Sequence, residues 1–195
     1  MRILAATGNK NKLEEIRRVL EPLGVSVVSP GDLDIDLSVE ETGATFAENA
    51  FLKAKAYFRA SGLPSLADDS GLCVDALEGR PGIHSATYCG AGSTYGQRIS
   101  ALLKELEEVP SGRQRTARFV SAICCVMDEE TILRCEGVCE GRVGFEAAGY
   151  GGFGYDPVFY VGDRSFAQLS GDEKDAISHR GNALRAFVAL LEEQL

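Results

Sequence analysis

The chain has 195 residues, of which 45% are apolar and 25% charged, the composition of an ordinary globular protein. This length is sufficient for one large domain or two small lobes with a buried core. The 29 acidic and 20 basic residues give a net charge of −9. Because such a chain repels polyanions, the charge argues against a general DNA- or RNA-binding protein, although a local cluster of cations or a metal could still hold a small phosphate ligand.

The apolar segments are all short. None approaches the roughly 20 residues that a membrane-spanning helix needs. The apolar run near the N-terminus is also too short for a signal peptide, so we expect a cytoplasmic protein without membrane contact. The six cysteines form no C-x-x-C pair, and the chain has only two histidines, which gives a zinc site little support. We therefore expect free, buried thiols at Cys73, Cys89, Cys124, Cys125, Cys135 and Cys139.

The first half of the chain predicts a β-loop-α-β opening followed by alternating elements. Leu13, Ile16 and Leu20 share one face of a helix, and Thr45 to Glu48 has the pattern of a capping box that opens the next helix. The predicted strands are 2–6, 25–28, 65–67 and 72–77, and the predicted helices are 12–20, 45–60 and 94–108. The polar residues 68–71 are expected to link two strands, and 78–93 to be loop-rich.

The second half predicts antiparallel strands and a closing helix. Residues 116–127 and 131–138 form a hairpin, 142–147 and 157–161 add strands, and 181–193 is a helix. No linker or repeat interrupts the chain, so we expect a single domain over residues 1–195. The predicted fold is α/β, with a long central mixed β-sheet flanked by helices and two lobes around a cleft.

Four segments carry residues suited to chemistry, and each also has an ordinary structural interpretation. The first joins the opening strand to its helix, where free N–H groups and the helix dipole attract anions. It is not a Walker A motif, and the alternative is a capped helix with two solvated lysines. The candidate phosphate ligands are Thr7, Gly8, Asn9, Lys10, Asn11 and Lys12.

The second candidate is a pair of acidic dipeptides, Glu40-Glu41 and Asp68-Asp69. Carboxylates at the end of a strand suit Mg²⁺, which takes few carboxylates together with substrate phosphates, and one of them could act as a general base. The alternative is that the acids cap loops and turns. The apolar residues before Asp68 favour the functional interpretation, because they place the acids at the end of a core strand.

The last two candidates lie near the C-terminus. An aromatic residue in the glycine loop 151–157 could stack on a purine, with Asp156 reading its edge; alternatively, the aromatics pack inward. The letters of this loop match G-x-G-x-x-G, but a strand follows it, so a dinucleotide site is rejected. Segment 173–181 offers Lys174, His179 and Arg180 as donors to phosphate or to a 6-oxopurine. Its alternative is a helix start with surface charge, or a core histidine.

Together these segments resemble the inosine triphosphate pyrophosphatase family. Six pieces occur in the family's order and spacing, which makes the signal far more specific than any one of them. They are ATGNKNK at 6–12, EETGATFAENAFLKA at 40–54, ADDSGLCVDAL at 67–77, PGIHSATY at 81–88, GGFGYDPVF at 151–159 and EKDAISHRGNAL at 173–184.

The resemblance implies a Mg²⁺-dependent enzyme, usually a homodimer, that hydrolyses ITP, dITP and XTP to the monophosphate and pyrophosphate. It implies that Asp69 is the general base and that Glu40 and Asp69 hold the metal, with Asp68 or Glu41 as possible partners. Residues 7–12 and Lys53 would bind the triphosphate. The nucleotide-reading set would be Ser70, Phe153, Gly154, Tyr155, Asp156, Lys174, His179 and Arg180.

Two other functions remain open from the sequence. One is a related Maf-like pyrophosphatase acting on pyrimidine or modified nucleotides, against which the glycine loop and the Ser-His-Arg-Gly segment argue. The other is a nucleotide-binding protein without catalysis, against which the complete acidic set argues. The sequence does not rank the three oxopurine substrates.

Overall fold

The computed structural model describes residues 1–109 and 115–194, and within them the chain forms seven strands and five α-helices. The strands are β1 Arg2–Ala5, β2 Ser26–Val28, β3 Ser65–Val74, β4 Thr116–Val126, β5 Ile132–Val143, β6 Phe159–Val161 and β7 Arg164–Ser165. The helices are α1 Lys10–Leu20, α2 Phe46–Ser61, α3 Tyr95–Glu107, α4 Gly171–Ile177 and α5 His179–Glu192.

All seven strands belong to one mixed sheet in the order β2-β1-β3-β4-β5-β6-β7. β1 runs parallel to β2 and to β3, with Ile3 opposite Val27 and Leu4 opposite Ser65. β6 runs antiparallel to β5 and to β7. The predicted α/β class with a central mixed sheet is therefore confirmed. None of the helices in the described part of the chain is long and apolar enough to cross a membrane.

The described residues divide into two compact units. Unit 1 contains residues 1–69, 121–137 and 179–194, and unit 2 contains residues 70–109, 115–120 and 138–178. The predicted single domain and the cleft between two lobes stay predictions.

The core of unit 1 has two layers, because successive side chains along a strand point to opposite faces of the sheet. On one face, Leu66 belongs to the cluster that includes Ile16 of α1 and Leu184 of α5. On the other face, Ala67 belongs to the cluster that includes Ala50 of α2. The strand therefore presents its odd and even residues to different helices.

The core of unit 2 contains a group of aromatic rings. Phe159 lies edge-on to Phe119 and Phe166, with ring centroids 4.6 and 4.9 Å apart. Leu102 and Leu106 of α3 belong to the same cluster. The burial of these rings provides a rigid base for the glycine loop that follows β5 in the chain.

Several predicted boundaries are wrong. Residues 68–71 lie inside the continuous strand β3 rather than in a loop, β5 extends to Val143 so that 142–147 is not a separate strand, and β7 was not predicted. Lys174 lies in α4, which was also missed, and α5 begins at His179, two residues earlier than expected. For residues 68–71 the reason is that buried tertiary partners of the polar side chains override local turn preferences.

Candidate functional site

Asp68 and Asp69 are consecutive residues of β3, and their carboxylates have different surroundings. Asp68 is 2% exposed and Asp69 is 7% exposed. Because side chains alternate along a strand, the two carboxylates point to opposite faces. Asp68 contacts side chains of α1 and α5, whereas Asp69 contacts side chains of α2.

The Asp68 carboxylate is neutralised by two cations. Its Oδ2 lies 2.7 Å from Nζ of Lys12 and accepts from Nη2 and Nε of Arg180 at 3.0 and 3.2 Å. Its Oδ1 accepts from the Ser121 hydroxyl. Burial opposes the charge, but Arg180 and Lys12 outweigh it and hold the pKa of Asp68 well below its ordinary value. Asp68 is therefore ionised and has little basicity.

The Asp69 carboxylate is only partly compensated. Oδ1 lies 3.3 Å from Nζ of Lys53, and Oδ2 accepts from Nδ2 of Asn49 at 3.3 Å. Burial raises the pKa of Asp69; Lys53 and Lys12 oppose this rise, and the nearby carboxylates of Glu41 and Asp68 add to it. Of the two acids, Asp69 is therefore the better proton acceptor near neutral pH.

The two lysines meet at the backbone of the same residue. The carbonyl oxygen of Asp68 accepts from Nζ of Lys12 at 3.3 Å and from Nζ of Lys53 at 3.2 Å. Burial lowers the pKa of Lys12, whereas for Lys53 the carboxylates of Asp69 and Glu41 outweigh burial and raise the pKa. The strand therefore holds two ammonium groups beside two carboxylates.

The predicted phosphate segment is a strand-to-helix turn in unit 1, as expected. Asn9 is the N-cap of α1, and its Oδ1 accepts from the backbone N–H groups of Asn11 and Lys12. Oγ1 of Thr7 accepts from the N–H of Asn9 at 3.1 Å. Nothing lies within 4 Å of a Cβ built on Gly8, so the backbone there is open to a ligand. Lys10 is exposed.

A cavity of about 390 Å³ adjoins this turn. Residues 7–10 line it together with Ser29, Asp36, Leu37 and Tyr57. The turn therefore presents its polar atoms to an open space within unit 1.

In unit 2 the glycine loop is organised by Asp156, which is 2% exposed. Its Oδ2 accepts from the N–H of Phe153 at 2.8 Å and from Nζ of Lys174 at 2.6 Å. Nζ of Lys174 also lies 4.6 Å from the Phe153 ring centroid. A Cβ on Gly152 would come within 2.1 Å of Asp156 Oδ2, so a glycine is required there. The aromatic ring, the carboxylate and the ammonium group thus form one rigid group.

The remaining predicted residues have mixed locations. Tyr155 is 2% exposed and donates to the carbonyl of Ser85 at 3.0 Å, so its ring belongs to the core of unit 2. Ser70 is half-buried in β3, directly after Asp69. Gly154 adopts a φ of 66° in the glycine loop. His179 is 4% exposed in the first turn of α5.

Arg180 and Glu15 form the part of the site that the sequence predicted least well. Arg180 is 2% exposed, and its Nη1 donates to Oε2 of Glu15. Burial opposes the charge of Arg180, but Asp68 and Glu15 outweigh it and raise the pKa of the guanidinium. Glu15 had no assigned role because its only sequence signal is an acidic residue beside the apolar stripe of α1.

The acidic side chains suit a hard cation only in part. Across residues 1–109 and 115–194, no three His, Cys, Asp or Glu side chains are arranged as a ready metal site. Glu40 is exposed, and the neighbouring Glu41 contacts Nζ of Lys53 at 3.0 Å. Mg²⁺ needs only one or two carboxylates when phosphates complete its shell. Asp69 and Glu41 both lie beside Nζ of Lys53, so these two carboxylates are near each other and fit a cation that arrives with a phosphate ligand.

Consecutive carboxylates flanked by two lysines, beside a helix N-terminus, are an arrangement suited to phosphate chemistry in an α/β protein. The chain belongs to the Ham1 family, whose model matches residues 3–190. The resemblance drawn from the six sequence segments is confirmed.

Relatives and solved structures agree with this assignment. A protein of Treponema denticola named dITP/XTP pyrophosphatase is 45% identical over 189 residues, covering 94% of this chain and 95% of that protein. A HAM1 protein structure from Coxiella burnetii has a TM-score of 0.90 at 40% identity and covers 99% of both chains. The Ham1 protein of Staphylococcus aureus has a TM-score of 0.88 at 38% identity and covers 100% of both chains.

Proposed function

We propose that this chain hydrolyses the nonstandard purine nucleotides ITP, dITP and XTP to the nucleoside monophosphate and pyrophosphate. The observation that carries the proposal is the pair Asp68-Asp69, in which one carboxylate is neutralised and the other is left basic beside Lys12 and Lys53. In such a pair, Asp68 holds the phosphate-binding Lys12 in place, and Asp69 remains available to activate water. The names of the relatives support the same reaction class.

Asp69 is the general base that orients and deprotonates the attacking water. Its raised pKa lies closer to neutral pH than the pKa of an ordinary aspartate. Lys12, Lys53 and the N–H groups at the start of α1 bind the triphosphate and stabilise the charge that develops on the departing pyrophosphate. Thr7, Gly8, Asn9, Lys10 and Asn11 supply the rest of the phosphate-binding turn.

Mg²⁺ is the proposed cofactor, held by Asp69 and Glu40, with Glu41 or Asp68 as the next carboxylate. When bound, it neutralises charge on the phosphate oxygens. Asp68 is the weaker candidate, because Lys12 and Arg180 already occupy its Oδ2.

Selection of the base is assigned to unit 2 and to the start of α5. Phe153 is the proposed stacking residue for the purine, and Asp156 and Lys174 hold its ring in place. The donor role of His179 toward O6 of an oxopurine is a separate proposal that comes from the sequence resemblance. Ser70, Gly154 and Tyr155 shape the surrounding backbone. An amino group at position 6, as in adenine, would leave the donors unpaired, which is costly in a buried site. Arg180, which the sequence resemblance also assigned to this set, donates from Nε, Nη1 and Nη2 to Asp68 and Glu15. We propose that it contributes through those carboxylates.

The deciding experiment is pyrophosphate release from ITP, XTP, dITP, ATP, GTP, UTP and dTTP, with Mg²⁺ and with EDTA. We expect Mg²⁺-dependent release from ITP, XTP and dITP and little from ATP or GTP. Preference for UTP or dTTP would favour a pyrimidine-directed pyrophosphatase. Calorimetric binding of ITP without cleavage in Mg²⁺ would favour a nucleotide-binding protein.

Asp69→Asn tests the assigned base. The amide cannot accept the proton, so we expect kcat to fall by at least about 10²-fold while ITP affinity stays measurable. Asp163→Asn, an exposed aspartate in the turn between β6 and β7, is the matched control and should keep full turnover. Near-normal turnover of Asp69→Asn would remove Asp69 from this role.

The homodimer and the cytoplasmic location expected from the sequence belong to the same proposal. Light scattering coupled to gel filtration measures the first, and a mass of one chain would contradict it. Cell fractionation measures the second.

A further inference from the structure

Glu15 is a buried carboxylate on the apolar face of α1. It is 5% exposed and precedes the core residue Ile16. A fully buried glutamate is uncommon unless it is paired, since desolvation of its charge is expensive. Its burial therefore requires a specific partner.

That partner is Arg180. Nη1 of Arg180 donates to Oε2 of Glu15, while Nε and Nη2 donate to Oδ2 of Asp68 at 3.2 and 3.0 Å. The rigid fork of a guanidinium fixes the two carboxylates relative to each other, which a lysine could not do. The guanidinium is thus oriented from one side by α1 and from the other by β3.

Asp68 in turn contacts Lys12 and Lys53, the side chains that we propose bind the substrate. Its Oδ2 lies 2.7 Å from Nζ of Lys12, and its carbonyl oxygen accepts from both Lys12 and Lys53. Asp69 is the next residue of the same strand. A shift of Asp68 therefore moves both ammonium groups and the base together.

We infer that Glu15 is a positioning residue of the hydrolytic site, acting through Arg180 on Asp68 and thereby on Lys12. The inference rests on the proposed function. The four side chains carry two negative and two positive charges, so the buried group is neutral as a whole. Removing one member leaves an uncompensated charge that can relax only by moving its neighbours.

The same geometry gives Arg180 a role different from the predicted base contact. A guanidinium that donates to Asp68 and Glu15 acts on the phosphate end of the reaction, which all nucleotide substrates share. A base contact would instead distinguish one base from another. The two roles thus predict different effects on the ratio of kcat/KM between an oxopurine and a slow purine substrate.

The test measures kcat and KM for ITP and for ATP, which has an amino group in place of O6, in the wild type, Glu15→Gln, Arg180→Lys and the double variant. Glu14→Gln is the matched control, because Glu14 is the exposed neighbour on the same helix. Lys174→Met is the positive control for lost selectivity. Thermal denaturation of every variant confirms that assays run well below the unfolding temperature, so that a fall in kcat does not reflect unfolded protein.

We expect Glu15→Gln and Arg180→Lys each to lower kcat/KM roughly 10- to 100-fold, the range for side chains that orient a reacting group. The loss should be equal for ITP and ATP, so the selectivity ratio stays at its wild-type value. The double variant should lose little more than the worse single variant, because the two residues act as one unit.

Three results would overturn the inference while leaving the proposed function standing. They are wild-type kinetics in Glu15→Gln, a collapsed selectivity ratio in Arg180→Lys, and additive losses in the double variant. Absence of pyrophosphate release from the wild-type protein would refute the proposed function itself. The two failures are therefore distinguishable within one data set.

Discussion

The close packing of Gly137 against helix α5 allows a substitution whose effect can be worked out from the structure. Gly137 lies in β5, where a Cβ would meet the carbonyl oxygen of His179 at 2.2 Å and the amide nitrogen of Ala183 at 2.3 Å. Both distances are more than 1 Å shorter than the 3.4 Å at which ordinary contact begins. Gly137→Ala must therefore displace the start of α5, because neither contact is the end of a flexible side chain.

Displacing α5 lowers the free energy of unfolding, because this helix is well packed. Leu184 and Phe187 of α5 are fully buried in the core of unit 1, so the helix cannot shift without opening that core. Overpacking of this kind destabilises by about 1–3 kcal/mol, and contacts with backbone atoms belong at the upper end. For a chain of this size we expect the unfolding temperature to fall by roughly 4–12 °C. Calorimetry or circular dichroism measures the shift.

Gly96→Ala is the matched control. Gly96 lies in α3, and the nearest atom to its built Cβ is Oγ1 of Thr94 at 3.9 Å. Alanine is the better helix former, so this variant should be as stable as the wild type or more stable. The argument is refuted if Gly137→Ala has the same unfolding temperature as Gly96→Ala and keeps full ITP turnover. In that case the position of the first turn of α5 would not depend on a glycine at residue 137.

Two further predictions concern side chains that titrate. The expectation of six buried thiols is wrong at Cys89, which is exposed. Burial raises the pKa of the Cys135 thiol to about 12 and that of Cys139 to about 11. A disulfide reagent at about pH 8 should therefore show a fast phase that Cys89→Ser removes, and persistence of that phase in the variant would contradict this. The pKa of Asp68 lies well below 3.8, so its stabilising contribution is complete above the unfolded pKa and is lost as the pH falls through the folded pKa. The denaturant midpoint should therefore drop more steeply below about pH 4 in the wild type than in Asp68→Asn, and equal slopes would count against the ion pairs.

Most of the fold follows from local patterns in the sequence. The apolar stripe of α1 and the cap at Thr45 placed two helices to within two residues of their observed starts. The cap itself differs in detail, because Glu48 accepts from the N–H of Ala44 rather than from that of Thr45. Helix α4 could also have been predicted, since Ser170 and Glu173 form a complete capping box.

The errors at residues 68–71 and at Glu15 occur where distant residues decide the structure. Asp-Asp-Ser-Gly has the composition of a turn, yet Asp68 and Asp69 lie in a buried strand. Cations more than ten residues away in the sequence neutralise Asp68 and partly compensate Asp69. Glu15 is similar, since its partner Arg180 is 165 residues away. Short-range patterns carry no information on such pairs, which exist only once the sheet has brought the helices together.

The strand geometry explains why two adjacent identical acids can have different chemistry. Along β3 the side chains alternate, so Leu66 and Asp68 face α1 and α5, whereas Ala67 and Asp69 face α2. On the first face two cations remove the basicity of Asp68, and on the second the partial compensation by Lys53 leaves Asp69 basic. An Asp-Asp dipeptide in an extended strand thus supplies one strongly paired carboxylate and one more basic carboxylate. In a turn, the two carboxylates would lack this separation of faces.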